Sequence, residues 1–450
     1  MDYETLKEAD HTYLWHPFTQ MQEWMREEPC MIDRAEGHYL IDVHGRSYLD
    51  GVSSLWCNVH GHRKKEIDDA IKTQLERIAH STFLGLSHVP GVILAEKLIR
   101  LARHGLRRVF YSDSGATAVE IALKMAVQYW QLKGESQRTQ IASLAESYHG
   151  DTVGSMSLGY SETFHRFHKN LLFPVLRLRP PHIFRYYEQR SDAAALDAAV
   201  REAEAKLTDS RRTLAAVVME PLIQGAAGMW WHPPAYVQAV AAICRKHKFL
   251  LILDEVATGF GRTGKMFACE HAGVNPDLLC LAKGITGGYL PLAATLTTED
   301  VFSAFLGEYH EFKTFFHGHT YTGNPLGCAA AIASIDIFER EKVLDRMQPR
   351  IAYMANRLRN EFLPLAHVSD VRQQGFMVGI ELVEDKEKRR NYPAGCRVGH
   401  KVIMEARRRN VIIRPLGDII ILMPPLSIAD DELKLLLDVV YECIRTVTEN

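Results

Sequence analysis

The sequence predicts an α/β protein in which a large, mostly parallel sheet carries helices on both faces and a smaller α+β unit is attached. Apolar runs of about five residues alternate with helical patterns of roughly 10–15 residues from about position 64 onward, which is typical of a parallel sheet. After residue 325 the pattern changes to a long helix followed by short strands and further helices. The 450 residues are 47% hydrophobic and 24% charged, so a globular chain with a large core is expected.

Each element of the larger unit rests on a local pattern. Apolar residues at the helical period predict amphipathic helices, and short apolar runs bounded by polar or turn residues predict buried strands. In chain order, these patterns predict a helix over 66–79, a helix over 89–102, a strand over 108–112, a helix over 115–130, a strand over 140–144, a strand over 214–220, a helix over 236–246, a strand over 249–254 and a strand over 277–283.

The two ends of the chain are predicted to form the smaller unit. Residues 1–62 are irregular and rich in aromatic side chains, and we expect them to pack against the C-terminal part. The predicted division is an N-terminal segment over 1–62, a large domain over 63–325 and a small α+β domain over 326–450. The small domain is expected to contain a helix over 326–362, strands over 371–374 and 377–383, and a helix over 430–448.

Charge and composition point to a small-molecule ligand. The 53 Lys and Arg against 55 Asp and Glu give a net charge of −2, whereas nucleic acid or an anionic membrane requires a basic excess. No apolar run approaches the ~18–20 residues that span a bilayer, and the N-terminus has no signal-peptide pattern. The eight cysteines are scattered, with no two close enough for a C-x-x-C pair, which is typical of a reduced, cytoplasmic protein.

Three polar features are predicted to meet at one edge of the sheet. Asp254 closes the strand over 249–254, and Lys283 closes the strand over 277–283. Ser114 and Gly115 follow a third strand and open the next helix. Because ligands bind at the carboxyl ends of parallel strands, an acid, an amine and a helix N-terminus are expected at one site.

Pyridoxal phosphate chemistry needs these three parts together. A lysine must bond the aldehyde of the cofactor and later move the proton of the substrate carbon, and an acid must keep the pyridine nitrogen protonated. A phosphate requires backbone N–H groups at a helix N-terminus, where Gly115 and Ala116 allow a close approach. Tyr148 follows another strand end and offers a flat ring. The sequence therefore predicts pyridoxal phosphate held by Lys283 and Asp254.

These motifs resemble those of the class III, or ω-type, aminotransferases of fold type I, over nearly the whole chain. The matching stretches are Ser112-Asp113-Ser114-Gly115, Tyr148-His149-Gly150-Asp151, 253–264, Pro276-Asp277, Ala282-Lys283-Gly284 and 317–325. The stretches 14–20, 51–56 and 60–62 are similar to the branch of that family that aminates 8-amino-7-oxononanoate to 7,8-diaminononanoate in biotin synthesis. The resemblance implies ping-pong transamination, in which the donor's amino group passes first to the cofactor and then to the oxo acid.

The resemblance also implies roles for individual residues. Lys283 would carry the cofactor and Asp254 would face its pyridine nitrogen, while Tyr148 would lie against the ring and the substrate. The phosphate would be held by Ser114, Gly115 and Ala116. Gly318, His319 and Thr320 would reach into the site of a second copy of the chain, with Thr320 on its phosphate, which makes a homodimer with shared sites the expected assembly. Arg414 would grip the substrate carboxylate through the two-pronged hydrogen bonding of its guanidinium.

Two departures from the family pattern bear on the substrates. Ornithine- and γ-aminobutyrate-type relatives carry a glutamate in a Gln-Gly-Glu-Ala-Gly stretch, whereas this chain has Ala226 at that place. The missing acid argues against those two activities and favours a long, mostly aliphatic substrate.

The second departure concerns the amino donor. Members that use S-adenosylmethionine carry tryptophan where this chain has Leu55 beside Trp56, tyrosine where it has Phe18 and Ile421, and no acid at Asp418. Less aromatic surface and an added carboxylate favour L-lysine, with Asp418 pairing its second ammonium, over S-adenosylmethionine. The plain alternative is that Asp418 is a solvated loop acid and the donor is unchanged. The residues predicted to contact substrate are therefore Phe18, Leu55, Trp56, Tyr148, Lys283, Gly318, Arg414 and Asp418.

Other interpretations are weaker. Residues 259–264 match G-x-G-x-x-G but do not run directly into a helix, as a dinucleotide site requires. The histidine pairs at 60 and 62 and at 317 and 319 have no third ligand at zinc spacing, so no metal is predicted. Another ω-aminotransferase acting on a long amino or oxo acid, and a non-catalytic cofactor-binding protein, remain as alternative functions.

Overall fold

The computed structural model describes residues 2–102, 105–183, 185–187 and 191–449. The strands are β1 (Ile32–Glu36), β2 (Tyr39–Asp42), β3 (Ser47–Asp50), β4 (Leu106–Ser112), β5 (Gln140–Leu144), β6 (Leu176–Leu178), β7 (Leu214–Met219), β8 (Ile223–Gln224), β9 (Trp230–Trp231), β10 (Leu250–Asp254), β11 (Leu278–Leu281), β12 (Ala293–Thr298), β13 (Val368–Gln374), β14 (Met377–Leu382), β15 (Val411–Ile412), β16 (Arg414–Leu416) and β17 (Ile419–Leu422).

The α-helices in the described part of the chain are α1 (Tyr3–Tyr13), α2 (Met21–Trp24), α3 (Ser53–Trp56), α4 (Lys65–Leu75), α5 (Val89–Leu101), α6 (Gly115–Leu132), α7 (Val153–Leu158), α8 (Glu162–His165), α9 (Asp192–Asp209), α10 (Pro234–His247), α11 (Cys269–Ala272), α12 (Glu299–Ala304), α13 (Pro325–Arg340), α14 (Val343–Arg357), α15 (Val398–Arg408) and α16 (Asp430–Thr448). None of the helices in the described part of the chain is both long enough and apolar enough to span a membrane.

A seven-stranded sheet in the order β4-β12-β11-β10-β7-β5-β6 forms the centre of the molecule. Its strands pair in parallel except β12, which runs antiparallel to both β11 and β4. The mostly parallel sheet that the sequence predicts is confirmed. The predictions missed β12, in which three of the six residues are threonine, and β6, which has only three residues.

Alternate residues of the central strands point to opposite faces of the sheet. Leu251 and Leu253 of β10 belong to the apolar cluster on one face, whereas Leu250 and Ile252 belong to the cluster on the other. Helix α6 covers the second face. Because both faces are covered, the strands read as continuous apolar runs, and this is why the sequence pattern located them.

The N-terminal segment and the C-terminal part share a sheet. Strand β3 pairs in parallel with β15, which completes the four-stranded sheet β1-β2-β3-β15. A second four-stranded sheet, β13-β14-β17-β16, is antiparallel throughout. The domain division over 1–62, 63–325 and 326–450 stays a prediction.

The single helix predicted over 326–362 is wrong. The chain forms α13 and α14, and the second of the two residues between them, Lys342, has a left-handed backbone with φ of 51°. A left-handed residue ends a helix because it turns the following amide out of the helical hydrogen-bond series. The local sequence, Arg340-Glu341-Lys342, contains neither glycine nor proline, so the break left no recognisable signal.

Candidate active site

The three predicted strand-end features lie at one edge of the central sheet. Asp254 is the last residue of β10, and Lys283 lies two residues beyond β11 in a short 3-10 turn. Ser114 is the N-cap of α6, directly after β4. A cavity of about 690 Å³, which we call the lysine cavity, opens here. Of the predicted site residues, those that line it are Trp56, Ser114, Gly115, Ala116, Tyr148, Asp254 and Lys283.

Lys283 is half-buried at the wall of this cavity, and its amine makes no hydrogen bond or ion pair with any residue of the described ranges. Its Nζ lies 4.8 Å from the centre of the Trp56 ring. Burial lowers the pKa of the Lys283 amine, and the negative charges of Asp254 and Glu220 offset part of that effect. The amine is therefore neutral over a wider pH range than an ordinary lysine, as a nucleophile requires.

The Asp254 carboxylate is held in one orientation by two donors. Its Oδ2 lies 2.6 Å from Nδ1 of His149, and its Oδ1 accepts a hydrogen bond of 3.0 Å from the backbone N–H of Val256. The His149 ring is buried, and its Nε2 has no hydrogen-bond partner among the described residues. The sequence analysis found His149 only as part of a motif, because nothing local shows that it meets an acid 105 residues away.

The start of α6 is built to receive an anion. The Ser114 Oγ accepts from the N–H of Thr117 at 3.3 Å, and the Thr117 Oγ1 accepts from the N–H of Ser114 at 3.0 Å. A Cβ atom at Gly115 would lie 2.5 Å from the Val256 side chain, so only glycine fits. Backbone N–H groups at a helix N-terminus and the helix dipole favour a phosphate here.

A substitution at Gly150 tests this phosphate site. Its φ is +118°, and a Cβ added there would lie 2.3 Å from the Cβ of Ala116. Gly150→Ala should displace the first turn of α6 and weaken binding of pyridoxal phosphate roughly tenfold or more, measured by absorbance titration of the apoprotein. Gly134→Ala is the matched control, because Gly134 also has a positive φ, +79°, but has open space around its Cβ position. Equal affinities of the two variants would contradict the assignment.

Tyr148 stands at the wall of the lysine cavity, fixed at both ends. Its hydroxyl donates to Oδ2 of Asp151 at 2.9 Å, and its backbone N–H donates to Oε1 of Glu220 at 3.1 Å. Burial raises the pKa of the Tyr148 phenol, whereas the positive charge of Arg414 lowers it. The pKa of Glu220 is raised to about 7, mainly by its complete burial.

The turn that carries Leu55 and Trp56 has an unusual backbone. Ser53, Ser54 and Trp56 all have positive φ, between 53° and 65°. The Asp50 carboxylate stabilises this turn, since it accepts from the N–H of Ser54 at 2.9 Å. Trp56 is buried and lines the lysine cavity, but Leu55 is 51% exposed and is not among the residues that border the cavities described here.

A second cavity, which we call the outer cavity, has a volume of about 970 Å³ and is lined by Phe18, Arg414 and Asp418. These three predicted substrate residues do not border the lysine cavity. The Asp418 Oδ1 accepts a hydrogen bond of 2.9 Å from the N–H of Gly399 at the start of α15. The two cavities nevertheless meet at the turn of Trp56, since Val52 and Ser54 of that turn line the outer cavity and Trp56 lines the lysine cavity.

The loop with Gly318, His319 and Thr320 borders neither cavity of its own chain. His319 Nδ1 lies 2.7 Å from Oδ2 of Asp113, which is itself a wall residue of the lysine cavity. Gly318 has open space where a Cβ would be. The prediction that this loop completes the site of a second copy stays a prediction.

The glycine-rich stretch and the histidine pairs lie away from the walls of the lysine cavity. Residues 259–264 form a loop in which the buried Arg262 donates to the backbone oxygens of Asn58 and Pro424. Within the described ranges, no group of three or more His, Cys, Asp or Glu side chains is arranged to hold a metal ion.

The lysine cavity fits pyridoxal phosphate. The half-buried amine of Lys283, which has no partner among the described residues, shares the cavity with an anchored carboxylate, and a glycine cradle lies at the helix N-terminus beside them. A dianionic phosphate, a pyridine nitrogen and an aldehyde each find the chemical group that they require.

Comparison with protein families and curated proteins gives the same assignment. The aminotransferase class III family model matches residues 20–444. The adenosylmethionine-8-amino-7-oxononanoate aminotransferase of Nitratidesulfovibrio vulgaris is 53% identical over 99% of this chain and 82% of its own length. That of Aquifex aeolicus is 49% identical over 99% of this chain and 98% of its own.

Solved structures agree with these relatives. The adenosylmethionine-8-amino-7-oxononanoate aminotransferase of Methanocaldococcus jannaschii superposes with a TM-score of 0.94 at 47% identity, covering 99% of this chain and 100% of that one. An amine transaminase from an uncultivated Pseudomonas species, solved in its PLP-bound form, gives 0.93 at 36% identity, covering 97% and 99%.

Proposed function

Because this chain belongs to the class III aminotransferase family and is an aminotransferase, we propose that it transfers an amino group to 8-amino-7-oxononanoate in biotin synthesis. The observation that carries the proposal is the half-buried amine of Lys283, which has no partner among the described residues and shares one cavity with the anchored carboxylate of Asp254. Relatives between 46% and 53% identical over 99% of the chain bear this activity in their names.

The cofactor is pyridoxal phosphate, which supplies an electron-withdrawing ring when it is bound. Lys283 would bond it, Asp254 would face its pyridine nitrogen, and Ser114, Gly115 and Ala116 would hold its phosphate. The Lys283 amine, once free, removes and returns the proton of the substrate carbon, since its lowered pKa leaves it neutral enough to act as a base. Trp56 and other apolar side chains limit the access of water to it.

The walls suit an aliphatic oxo acid. Ala226 lines the lysine cavity where the ornithine- and γ-aminobutyrate-type relatives have a glutamate, so an apolar chain meets no charge there. Arg414, in the adjacent outer cavity, is free of ion pairs with the described residues and supports binding of the acid's carboxylate. The proposed product is 7,8-diaminononanoate.

Two amino donors are supported by different observations. The names of the relatives carry adenosylmethionine, whereas Phe18, Leu55 and Asp418 favour L-lysine on sequence grounds. The hydrogen bond from Gly399 occupies one oxygen of Asp418 and gives that carboxylate a structural role at the start of α15. The other oxygen is left to meet an ammonium group, so L-lysine remains the donor that we propose, with adenosylmethionine as the alternative.

A matrix of donors and acceptors tests the proposal. Purified holoenzyme is mixed with L-lysine, S-adenosylmethionine or ornithine. The enzyme that has received the amino group is then mixed with 8-amino-7-oxononanoate, 2-oxoglutarate or pyruvate. We expect 7,8-diaminononanoate to form fastest with L-lysine. Formation of 7,8-diaminononanoate with S-adenosylmethionine alone would contradict L-lysine as the donor. Turnover of 2-oxoglutarate or pyruvate only would contradict the biotin-pathway assignment.

We further propose a homodimer with shared sites. Large apolar side chains stand exposed near the loop of Gly318, among them Phe316 and Tyr321, and the segment with Leu84 and Leu86 exposes more of them. Such surface supports association with a second copy. A mass of one chain by light scattering at micromolar concentration would contradict it. A cytoplasmic location is also proposed, supported by the eight cysteines, all of which are free thiols.

A further inference from the structure

Four arginine side chains line the outer cavity, and two of them form no ion pair with the described residues. Arg185 lies 2.6 Å from Glu381, and Arg397 pairs with a glutamate of α2. Arg407 and Arg414 make no hydrogen bond or ion pair with the residues that the structure describes, and both are half-buried. Two guanidinium groups therefore face the same cavity unpaired.

The acids of this cavity are already engaged. Glu381 binds Arg372 as well as Arg185, and Asp418 accepts from the backbone of α15. Neither acid pairs with Arg407 or Arg414. A half-buried guanidinium without an ion-pair partner loses part of its hydration and gains no hydrogen bond in return. A carboxylate that accepts hydrogen bonds from two of its N–H groups compensates for that loss. The cavity is thus suited to an anionic ligand.

The two arginines lie at different depths. Arg414 begins β16 and follows β15, which pairs with β3 shortly before the turn that carries Trp56 into the wall of the lysine cavity, and this places Arg414 at the inner end. Arg407 also borders a further hollow of about 440 Å³ between α15 and the N-terminal segment around Phe18, which places it at the outer end.

The two substrates of the proposed reaction carry their carboxylates at different distances from the reacting carbon. A donor that reacts through its α-amino group has its carboxylate on that same carbon, whereas the oxo acid has its carboxylate at the far end of an aliphatic chain. Both must react at Lys283. Only the carboxylate of the long substrate reaches outward past Arg414.

We propose that Arg407 is a second carboxylate-binding residue, which acts together with Arg414 on the long oxo acid and not on the carboxylate of the amino donor. This inference rests on the proposed function for its substrate. It makes Arg407 a residue that distinguishes long carboxylic acids from short ones, at a position far along the chain from the catalytic lysine.

The first experiment separates the two halves of the reaction. Arg407→Met, Arg408→Met and the unmodified holoenzyme are compared by stopped-flow absorbance, first with the donor and then with 8-amino-7-oxononanoate. Arg408 is the matched control, because it is exposed on the same helix and pairs with Glu405. We expect Arg407→Met to weaken the apparent affinity for the oxo acid roughly tenfold to hundredfold, with the donor step unchanged.

The second experiment does not depend on turnover. Binding of nonanoate and of nonanamide to the same three proteins is measured by calorimetry. Arg407→Met should lose affinity for nonanoate roughly tenfold or more and keep that for nonanamide, which also shows that the variant is folded. Equal nonanoate affinities of the two variants overturn the role of Arg407. If nonanoate binding depends on Arg407 but the unmodified enzyme does not aminate the oxo acid, only the proposed function fails.

Discussion

Lys283→Ala should lower the rate of transamination by about 10⁴-fold, because a single side chain both bonds the cofactor and moves the substrate proton. No other lysine in the described part of the chain lines the lysine cavity. Purified Lys283→Ala is assayed for amine transfer at saturating pyridoxal phosphate. In parallel, the unmodified enzyme and Lys283→Ala are treated with borohydride, which fixes the cofactor on the lysine that carries it. The labelled peptide is then identified by mass spectrometry.

Lys265→Ala is the control for this prediction, since Lys265 is exposed and donates only to the backbone oxygen of Glu270. It should keep the rate of the unmodified enzyme within about twofold. In the unmodified protein the label should fall on the peptide with Lys283, and in Lys283→Ala it should be absent. A label on another lysine, or retained activity in Lys283→Ala, contradicts the assignment.

The position of Lys283 in the fold explains its reactivity. The residue follows β11 by two positions, with a left-handed backbone of φ 47°, and the turn directs its side chain into the cavity. Around it lie Trp56 and the strand ends of a fully covered sheet. Because burial disfavours the ammonium form, the same packing that stabilises the large unit lowers the pKa of the lysine.

The sequence predicted the central sheet well for a physical reason. Strands covered on both faces, such as β7 and β10, read as nearly continuous apolar runs, and their boundaries were found to within one residue. Elements stabilised by tertiary contacts rather than by their own pattern were missed. Strand β12, with the sequence Ala-Ala-Thr-Leu-Thr-Thr, has no continuous apolar run, and the break at Lys342 depends on how α13 and α14 pack.

Within the site, the sequence identified groups that one motif contains and missed groups that meet only through folding. Asp254 and Lys283 each end an apolar run, so their proximity follows from the topology of the sheet. The contact between His149 and Asp254 joins a loop to the end of β10, and no local pattern shows it. The unpaired state of Arg407 depends on which acids pack against the neighbouring arginines, which is a property of the folded chain alone.

Asp254→Asn should lower the rate of transamination by about 10³-fold while leaving the fold intact. Asparagine has the same shape and can still accept a hydrogen bond from His149 or from the N–H of Val256. It carries no negative charge, however, so it does not hold a proton on the pyridine nitrogen, and the ring withdraws electrons less strongly. The rate of amine transfer and the unfolding temperature of the holoenzyme are measured together.

Asp151→Asn provides the comparison, because Asp151 lines the same cavity and contacts the hydroxyl of Tyr148 rather than the ring-binding groups. Its effect should stay below about tenfold.

Protonation of the Lys283 amine does not explain the slower transfer in Asp254→Asn, because the Asp254 charge raises the pKa of Lys283. Removing that charge lowers this pKa further and increases the neutral fraction of the amine at every pH near it. The pH dependence of the bonding of Lys283 to pyridoxal phosphate should therefore shift downward in Asp254→Asn, while amine transfer slows. A rate loss of equal size in Asp151→Asn, or an upward shift of that pH dependence, would contradict the role of Asp254.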